Sequence, residues 1–460
     1  MASPTTNDSR YKHIQPVPHN VTVLLPERPI DRFVRPVARF LHIEATSGVL
    51  LMFCTALAIF MANSAWADSY LQFWKTEVGV SFGTLQFQHS LRHIINDGLM
   101  AIFFFVIGLE VKRELVHGAL SDLRRAALPI AAAVGGMVVP AGIYLALQYD
   151  QPAARGWGIP MATDIAFVVG FLALLGSRVP NNLRVLLLSL AIVDDIGAII
   201  VIAVGYTKEL DGRFLMLAAI GISVVHLFSR IGVRRFPPYI IAGLVAWLAF
   251  HESGVHATLT GVILGLMTPA KATIVPDHFH QYLIKTGESF RGESWHTVNQ
   301  RARKVREVQR LTRETVSPLE YLETTLHPWS SYFIIPIFAL ANAGVVMQLS
   351  NIEDSVAIAV TLGLVVGKPL GVLLFCILAV KLGWARLPSG VSWRILIAGS
   401  FLTGIGFTMA LFIDGLAFGD DGLDTAKTGI IVGSAISAIL GMAMLIWTLP
   451  KAPTSTAEVE

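Results

Sequence analysis

The stretch LSLAIVDDIGAII, residues 188–200, sets Asp194 and Asp195 side by side in an otherwise apolar run. The run continues from Leu183 to Tyr206, and its only other charge is Arg184, near the start. Such a length and composition suit a membrane-crossing helix, which needs roughly 20 apolar residues. A charged side chain at that depth costs about 2.5–3.5 kcal/mol on the insertion scale, so acids kept there are candidates for function.

The rest of the chain has the same character. Of its 460 residues 54% are hydrophobic and only 15% charged, against about 25% charged in soluble domains. Repeated apolar runs read as an all-α polytopic membrane protein with about twelve spans. They lie near 40–62, 91–115, 126–148, 157–176, 183–206, 213–229, 236–250, 254–269, 327–347, 355–381, 393–416 and 427–449. Residues 1–35 read as a disordered cytoplasmic tail, 36–450 as the transmembrane domain and 451–460 as a second tail. Without a signal-peptide layout near the start, the first span is expected to target the membrane. Cys54 and Cys376 both sit in apolar runs and read as packing residues. A net charge of +3 gives no reason to expect a nucleic-acid partner, and no cofactor motif is present.

Loop charges alternate. Lys112, Arg113, Arg124 and Arg125, then Arg178 and Arg184, then Arg230, Arg234 and Arg235, then Lys381, Arg386 and Arg394 fall on one side. The other side holds HES (251–253), QLSNIEDS (348–355) and DGLAFGDDGLD (414–424), which have no Lys or Arg. The positive-inside rule then puts both termini in the cytoplasm, and an even span count agrees. Residues 270–324 form a cytoplasmic insertion whose basic run NQRARKVREVQRLTRET suits a solvated helix near anionic lipid. On the outer side YLQFWKTEVGVSFGTLQFQ (70–88) alternates apolar and polar residues around a glycine, as a surface β-hairpin does. A lone hairpin is marginal in water, so this one is expected to pair, for instance with a second copy of the chain.

Four ionisable residues lie far from any span end: Asp164, Asp194, Asp195 and Lys368. Helical neighbours point about 100° apart, so Asp194 and Asp195 do not chelate one ion symmetrically. One faces a water-filled cavity while the other turns to a neighbouring helix, where Lys368 is the one buried cation available. Asp195 is assigned to the cavity and Asp194 to the lysine, with the reverse left open by sequence alone. Asp164, after Pro160, also has N-cap chemistry. A carboxylate out of water holds its proton more tightly, and hard alkali cations prefer the same oxygen ligands. Protons and a small cation then compete for one site. Exposing that site alternately to each side makes an exchanger, and two protons per monovalent cation would move one net charge per cycle.

Pro160 interrupts the span that holds Asp164, and Gly399, Gly404 and Gly406 interrupt the span 393–416. Paired interruptions in two halves of a transporter point to a binding site between inverted repeats, here spans three to five and ten to twelve. Asp164 would offset the positive N-terminal ends of the broken helices and Lys368 the negative C-terminal ends.

The stretches GLEVKREL (108–115), ATDIAFVVGFLALLGSRVP (162–180), LAIVDDIGAIIVIAVGYT (190–207), SGVHATLTGVILG (253–265), LHPWSSYFIIPIFALANAGV (326–345), GKPLGV (367–372) and LTGIGFTMALFI (402–413) resemble the NhaA-type sodium/proton antiporters over residues 40–450. The resemblance implies a Na+ or Li+ site at Asp195 and Asp194, with Thr163 and Asp164 at the helix break and Lys368 as charge compensation. It implies twelve spans, two crossing discontinuous helices, and exchange of external protons for internal sodium or lithium across a bacterial inner membrane. Activity would rise at alkaline pH, and a homodimer would form through residues 70–88. It further suggests that Glu110, Arg113, Glu114 and Glu323 tune the pH response. By residue chemistry alone that cluster reads equally as a cation-gathering mouth or a helix-end ion-pair network. His256 titrates in the right range but also fits a hydrogen-bonded structural role.

Two other classes fit less well. An intramembrane aspartyl protease needs two acids sharing a proton, which Lys368 would disrupt, and its GxGD signature is missing near these acids. A sodium-coupled organic-anion symporter needs further polar groups that the spans do not offer. A passive channel is disfavoured because the buried charges would trap an ion.

Overall fold

Backbone N–H and C=O groups in hydrocarbon have no water to turn to, so an apolar chain satisfies them internally as helix. A computed structural model shows this for residues 44–449, excepting 83–84, 208–209, 234–235, 273–297 and 420–421. Both proposed tails and the first part of the insertion lie outside the described residues. The helices in chain order begin with α1 (Glu44–Ala62) and α2 (Ala67–Lys75). The strands β1 (Glu77–Phe82) and β2 (Leu85–Ser90) come next. Then follow α3 (Leu91–Val116), α4 (Leu123–Leu147), α5 (Ile165–Leu174), α6 (Asn181–Gly205), α7 (Gly212–Ile231), α8 (Phe236–Glu252) and α9 (Thr258–Met267). The chain ends with α10 (Val298–Glu314), α11 (318–342), α12 (Ser355–Lys381), α13 (Trp393–Thr403), α14 (Phe407–Phe418) and α15 (Asp424–Thr448). The strands pair antiparallel, Glu77 opposite Ser90 and Phe82 opposite Leu85.

Among the described residues six helices, α3, α4, α6, α7, α12 and α15, are long and apolar enough to cross a membrane. Three bent pairs bring the number to as many as nine. These are α1 with α2, bent by 113°, the 3-10 segment Pro152–Met161 with α5, bent by 40°, and α13 with α14, bent by 44°. Three further stretches read as spans fold as α8, α9 and α11. α8 and α9 are short, at 17 and 10 residues, and α11 opens on a polar turn with a Ser317–Glu320 capping box. In the insertion, α10 is an Arg-rich helix carrying an Arg310–Glu314 pair at 3.0 Å.

Close backbone approach is what positions the site. A Cβ on Gly371 of α12 would come within 2.0 Å of the Gly135 carbonyl oxygen of α4, so at this crossing the two backbones touch. Lys368 lies one turn earlier on α12, directly after a wide π turn over Gly363–Gly367. Pro369 follows, and its missing N–H means the ladder is already interrupted there. Such π turns are frequent at functional sites.

The Gly371–Gly135 crossing yields a direct test. Gly371→Ala forces α4 and α12 apart and should destabilise the detergent-solubilised protein by about 1–3 kcal/mol, the usual cost of overpacking. Gly142→Ala on α4 meets nothing within 4 Å and should be neutral or mildly stabilising, since alanine favours helix over glycine by about 1 kcal/mol. Thermal unfolding followed by circular dichroism ranks the two. Equal midpoints would remove the crossing as a determinant of the fold.

Candidate functional site

Breaking a helix in an apolar interior frees backbone groups that must find partners. The first break spans Ala162–Asp164, between Pro152–Met161 and α5, and the second spans Gly404–Gly406, between α13 and α14. The two breaks serve each other. Asp164 N donates to Ile405 O at 2.7 Å, and the Thr163 hydroxyl lies 3.0 Å from Thr403 O. The Asp164 carboxylate caps α5 by accepting from Phe167 N at 3.2 Å. Its other oxygen accepts from Thr408 N at 3.0 Å and from the Thr408 hydroxyl. Asp164 thus stands between the N-termini of α5 and α14, where partial positive charge gathers. Its two oxygens are well supplied with donors.

On α6 the two adjacent acids have different surroundings. Asp194 is 1% exposed, Asp195 3% and Lys368 0%. Lys368 Nζ donates to Asp194 Oδ2 at 2.7 Å and also to Met161 O at the C-terminal end of the 3-10 segment. The cation therefore meets a negative helix end as well as a carboxylate. The Thr163 hydroxyl reaches the same Asp194 oxygen at 2.7 Å. A hydroxyl has one proton to donate, so at any moment Thr163 serves either Asp194 or Thr403 O. Asp194 Oδ1 is buried with no hydrogen-bond partner among the described residues. The hydrogen bonds of Lys368 and Thr163 go to Asp194 and not to the neighbouring Asp195 carboxylate. Buried acceptors are satisfied in nearly all structures, so Asp194 Oδ1 calls for a proton, a water or a cation.

Glu110, Arg113, Glu114 and Glu323 come together where the C-terminal end of α3 meets α11. Arg113 pairs with Glu323 and lies 3.5 Å from Glu114 Oε1, while Glu114 Oε2 accepts from Ala119 N at 2.9 Å. His327 joins the group, 3.6 Å from Glu110 Oε1; its place in LHPWSS offered no hint of this. His256 lies apart, with Nε2 2.9 Å from the Tyr206 carbonyl oxygen just beyond α6.

Lys368 is not the one buried cation, as had been expected: Arg92 and Lys427 are 5% and 4% exposed. Both lie in the first turn of a helix, Arg92 in α3 and Lys427 in α15. Lys427 borders Gly422 together with Asp414, an acid that reads as part of a polar loop yet is 0% exposed. Gly422 has φ +64°, a left-handed turn that folds the loop back over the acid. Thr403 and Thr408 also escaped notice. The glycines between them marked the break, but nothing in the sequence said which polar neighbours would close it.

The chain is similar to known proteins over most of its length. Residues 38–445 match the family described as Na+/H+ antiporter 1. A Na(+)/H(+) antiporter NhaA of Rhodopirellula baltica is 69% identical over 427 residues, covering 93% of this chain and 97% of that protein. The Na(+)/H(+) antiporter NhaA of Rhizobium meliloti is 50% identical, covering 93% and 98%. Na(+)/H(+) antiporter NhaA 2 of Acidiphilium cryptum is 47% identical, covering 93% and 95%. With a family match across most of its length and relatives this similar over nearly all of theirs, the chain, a multi-pass membrane transporter and not an enzyme, belongs to the Na+/H+ antiporter 1 family.

Proposed function

We propose that this protein is an electrogenic sodium/proton antiporter that takes Na+ or Li+ from the cytoplasm in exchange for external protons. The observation that carries this reading is the pair of buried acids on α6. Asp194 Oδ1 faces no donor among the described residues, and Asp195 beside it is equally buried. An alkali cation and protons satisfy the same oxygens and exclude each other. Asp195 is the principal site, Asp194 contributes through Oδ1, and Thr163 and Asp164 shape the adjoining break. Lys368 compensates Asp194 and the C-terminal helix end. Two protons in place of one cation move one charge per cycle, which gains about 2.3 kcal/mol per 100 mV.

The same reading has twelve crossings in two inverted repeats, whose broken helices cross at Asp164 and Thr408. Rocking of one repeat against the other gives alternating access. Both termini lie on the cytoplasmic side of a bacterial inner membrane, a reading supported by the loop-charge asymmetry, with basic helix α10 near anionic lipid. The β1–β2 ribbon faces outward and joins two copies of the chain, since two strands alone are marginal. At the other end of α3, Arg113, Glu110, Glu114 and Glu323 tune the pH response. Burial pushes the Glu323 carboxyl up, against the opposing pull of the Arg113 guanidinium. Raising pH favours ionised Glu323 and so strengthens its pairing with the permanently charged Arg113.

Everted vesicles carrying a preformed proton gradient give the first test. Na+ and Li+ should dissipate the gradient, read by dequenching of a ΔpH dye, and Asp195→Asn should abolish the response; undiminished exchange by that variant would sink the assignment. Competition gives the second. The apparent KM for Na+ should fall by up to about tenfold per pH unit for each proton displaced, and a pH-independent KM would exclude competition. Glu323→Gln, which cannot charge at any pH, should flatten the rise of activity with pH. A profile superimposable on the parent's would take Glu323 out of regulation.

A further inference from the structure

Far along α3 from Glu110, where β2 runs into the helix, three imidazoles and a carboxylate converge. His89 is the next-to-last residue of β2, His93 and Asp97 lie on the first turns of α3, and His251 lies on the last turn of α8. One ring nitrogen from each histidine lies within 4.8 Å of the others. Asp97 Oδ2 is 3.5 Å from His93 Nε2 and 3.4 Å from His251 Nδ1. These distances exceed an ordinary N–H···O hydrogen bond, about 2.7–3.2 Å. They match the spacing of co-ligands, because a tetrahedral ion with arms of about 2.0–2.1 Å holds its ligands roughly 3.4 Å apart.

The supports are in place as well. The His251 ring stacks on Trp247 at 5.9 Å and 15°, and Trp247 Nε1 donates to the Asp97 carbonyl oxygen at 3.3 Å. That bond ties α8 to α3, so three of the four arms rest on joined helices. His89 and His93 stack at 4.4 Å and 16°, which holds the His89 ring beside the helix-borne donors. The His93, Asp97 and His251 side chains are about one-fifth exposed, at 20%, 21% and 19%, which leaves a way in from solvent.

We propose that His89, His93, Asp97 and His251 form a binding site for a borderline divalent transition cation, with Zn2+ the best match. Imidazole nitrogen and carboxylate oxygen are the ligands such an ion takes, whereas a hard alkali cation prefers all-oxygen sites. The site is separate from Asp194 and Asp195. Its ion would pin the β1–β2 ribbon to the helices through His89 and stiffen the ribbon's attachment to α3 and α8.

The test uses the full chain, purified in detergent and stripped by a chelator. Calorimetric titration with Zn2+ should give one saturable site per chain. Co2+ should give the intense visible bands of a four-coordinate complex. Asp97→Asn, nearly isosteric and keeping the backbone acceptor for Trp247, and His251→Ala should each weaken binding by about tenfold or more. His226→Ala, at an exposed position on α7, should leave it unchanged. Monodisperse elution and retained sodium-driven exchange confirm that the variants fold, and they keep this result separate from the transport reading. Absence of saturable binding, or binding indifferent to Asp97→Asn and His251→Ala, would overturn the site.

Discussion

Two helices interrupted in a medium without water leave N–H and C=O groups that nothing outside the protein will take. In this fold each interruption answers the other. Asp164 supplies its own N–H to Ile405 O and its carboxylate to Thr408, while Thr163 reaches across to Thr403 O. Neither break would be tolerable alone. Together they gather polar groups in an apolar interior, with Thr163 reaching Asp194 of α6. The close passage of α12 over α4 then delivers Lys368 to Met161 O, at the edge of the first break, and to Asp194. Breaks, threonines, lysine and acids make up one polar unit. A change at any of them leaves a partner stranded where stranding is expensive.

Within that unit three chemically identical side chains are given three conditions. Asp164 has donors at both oxygens, from Phe167 and Thr408. Asp194 is half served, with Lys368 and Thr163 crowding Oδ2 and nothing among the described residues at Oδ1. Asp195, equally buried, is given neither of those two donors. A carboxylate whose needs are met by fixed dipoles has little reason to exchange anything. One whose needs are unmet takes whatever small positive species arrives. The graded satisfaction follows from helix geometry, since a turn of about 100° between neighbours is enough to put one acid on the lysine and the other away from it.

The two ends of α3 carry separate clusters. One gathers Glu110, Arg113, Glu114, Glu323 and His327, and the other gathers His89, His93, Asp97 and His251. The first is rich in opposed formal charges. The second is rich in neutral nitrogen donors, so its state would follow a metal ion.

Much of this was legible in the amino-acid order. Apolar runs of membrane length with few charges announce a helical membrane protein, because hydrocarbon leaves the backbone no other choice. Acids at 164, 194 and 195 and a lysine at 368 stand out for the same reason: burial of charge is too costly to be accidental. Glycines at 404 and 406 mark a break, because a run of small residues weakens the helix. Sequence does not say which groups meet. Thr408, Arg92, Asp414 and Lys427 look like ordinary residues near helix ends, and only the packed structure shows them buried. The meeting of His251 with His93, more than 150 positions apart in the chain, was equally hidden. Local composition dictates what each segment must become; which side chains share a site depends on how those segments pack against one another, and distance along the chain does not encode that.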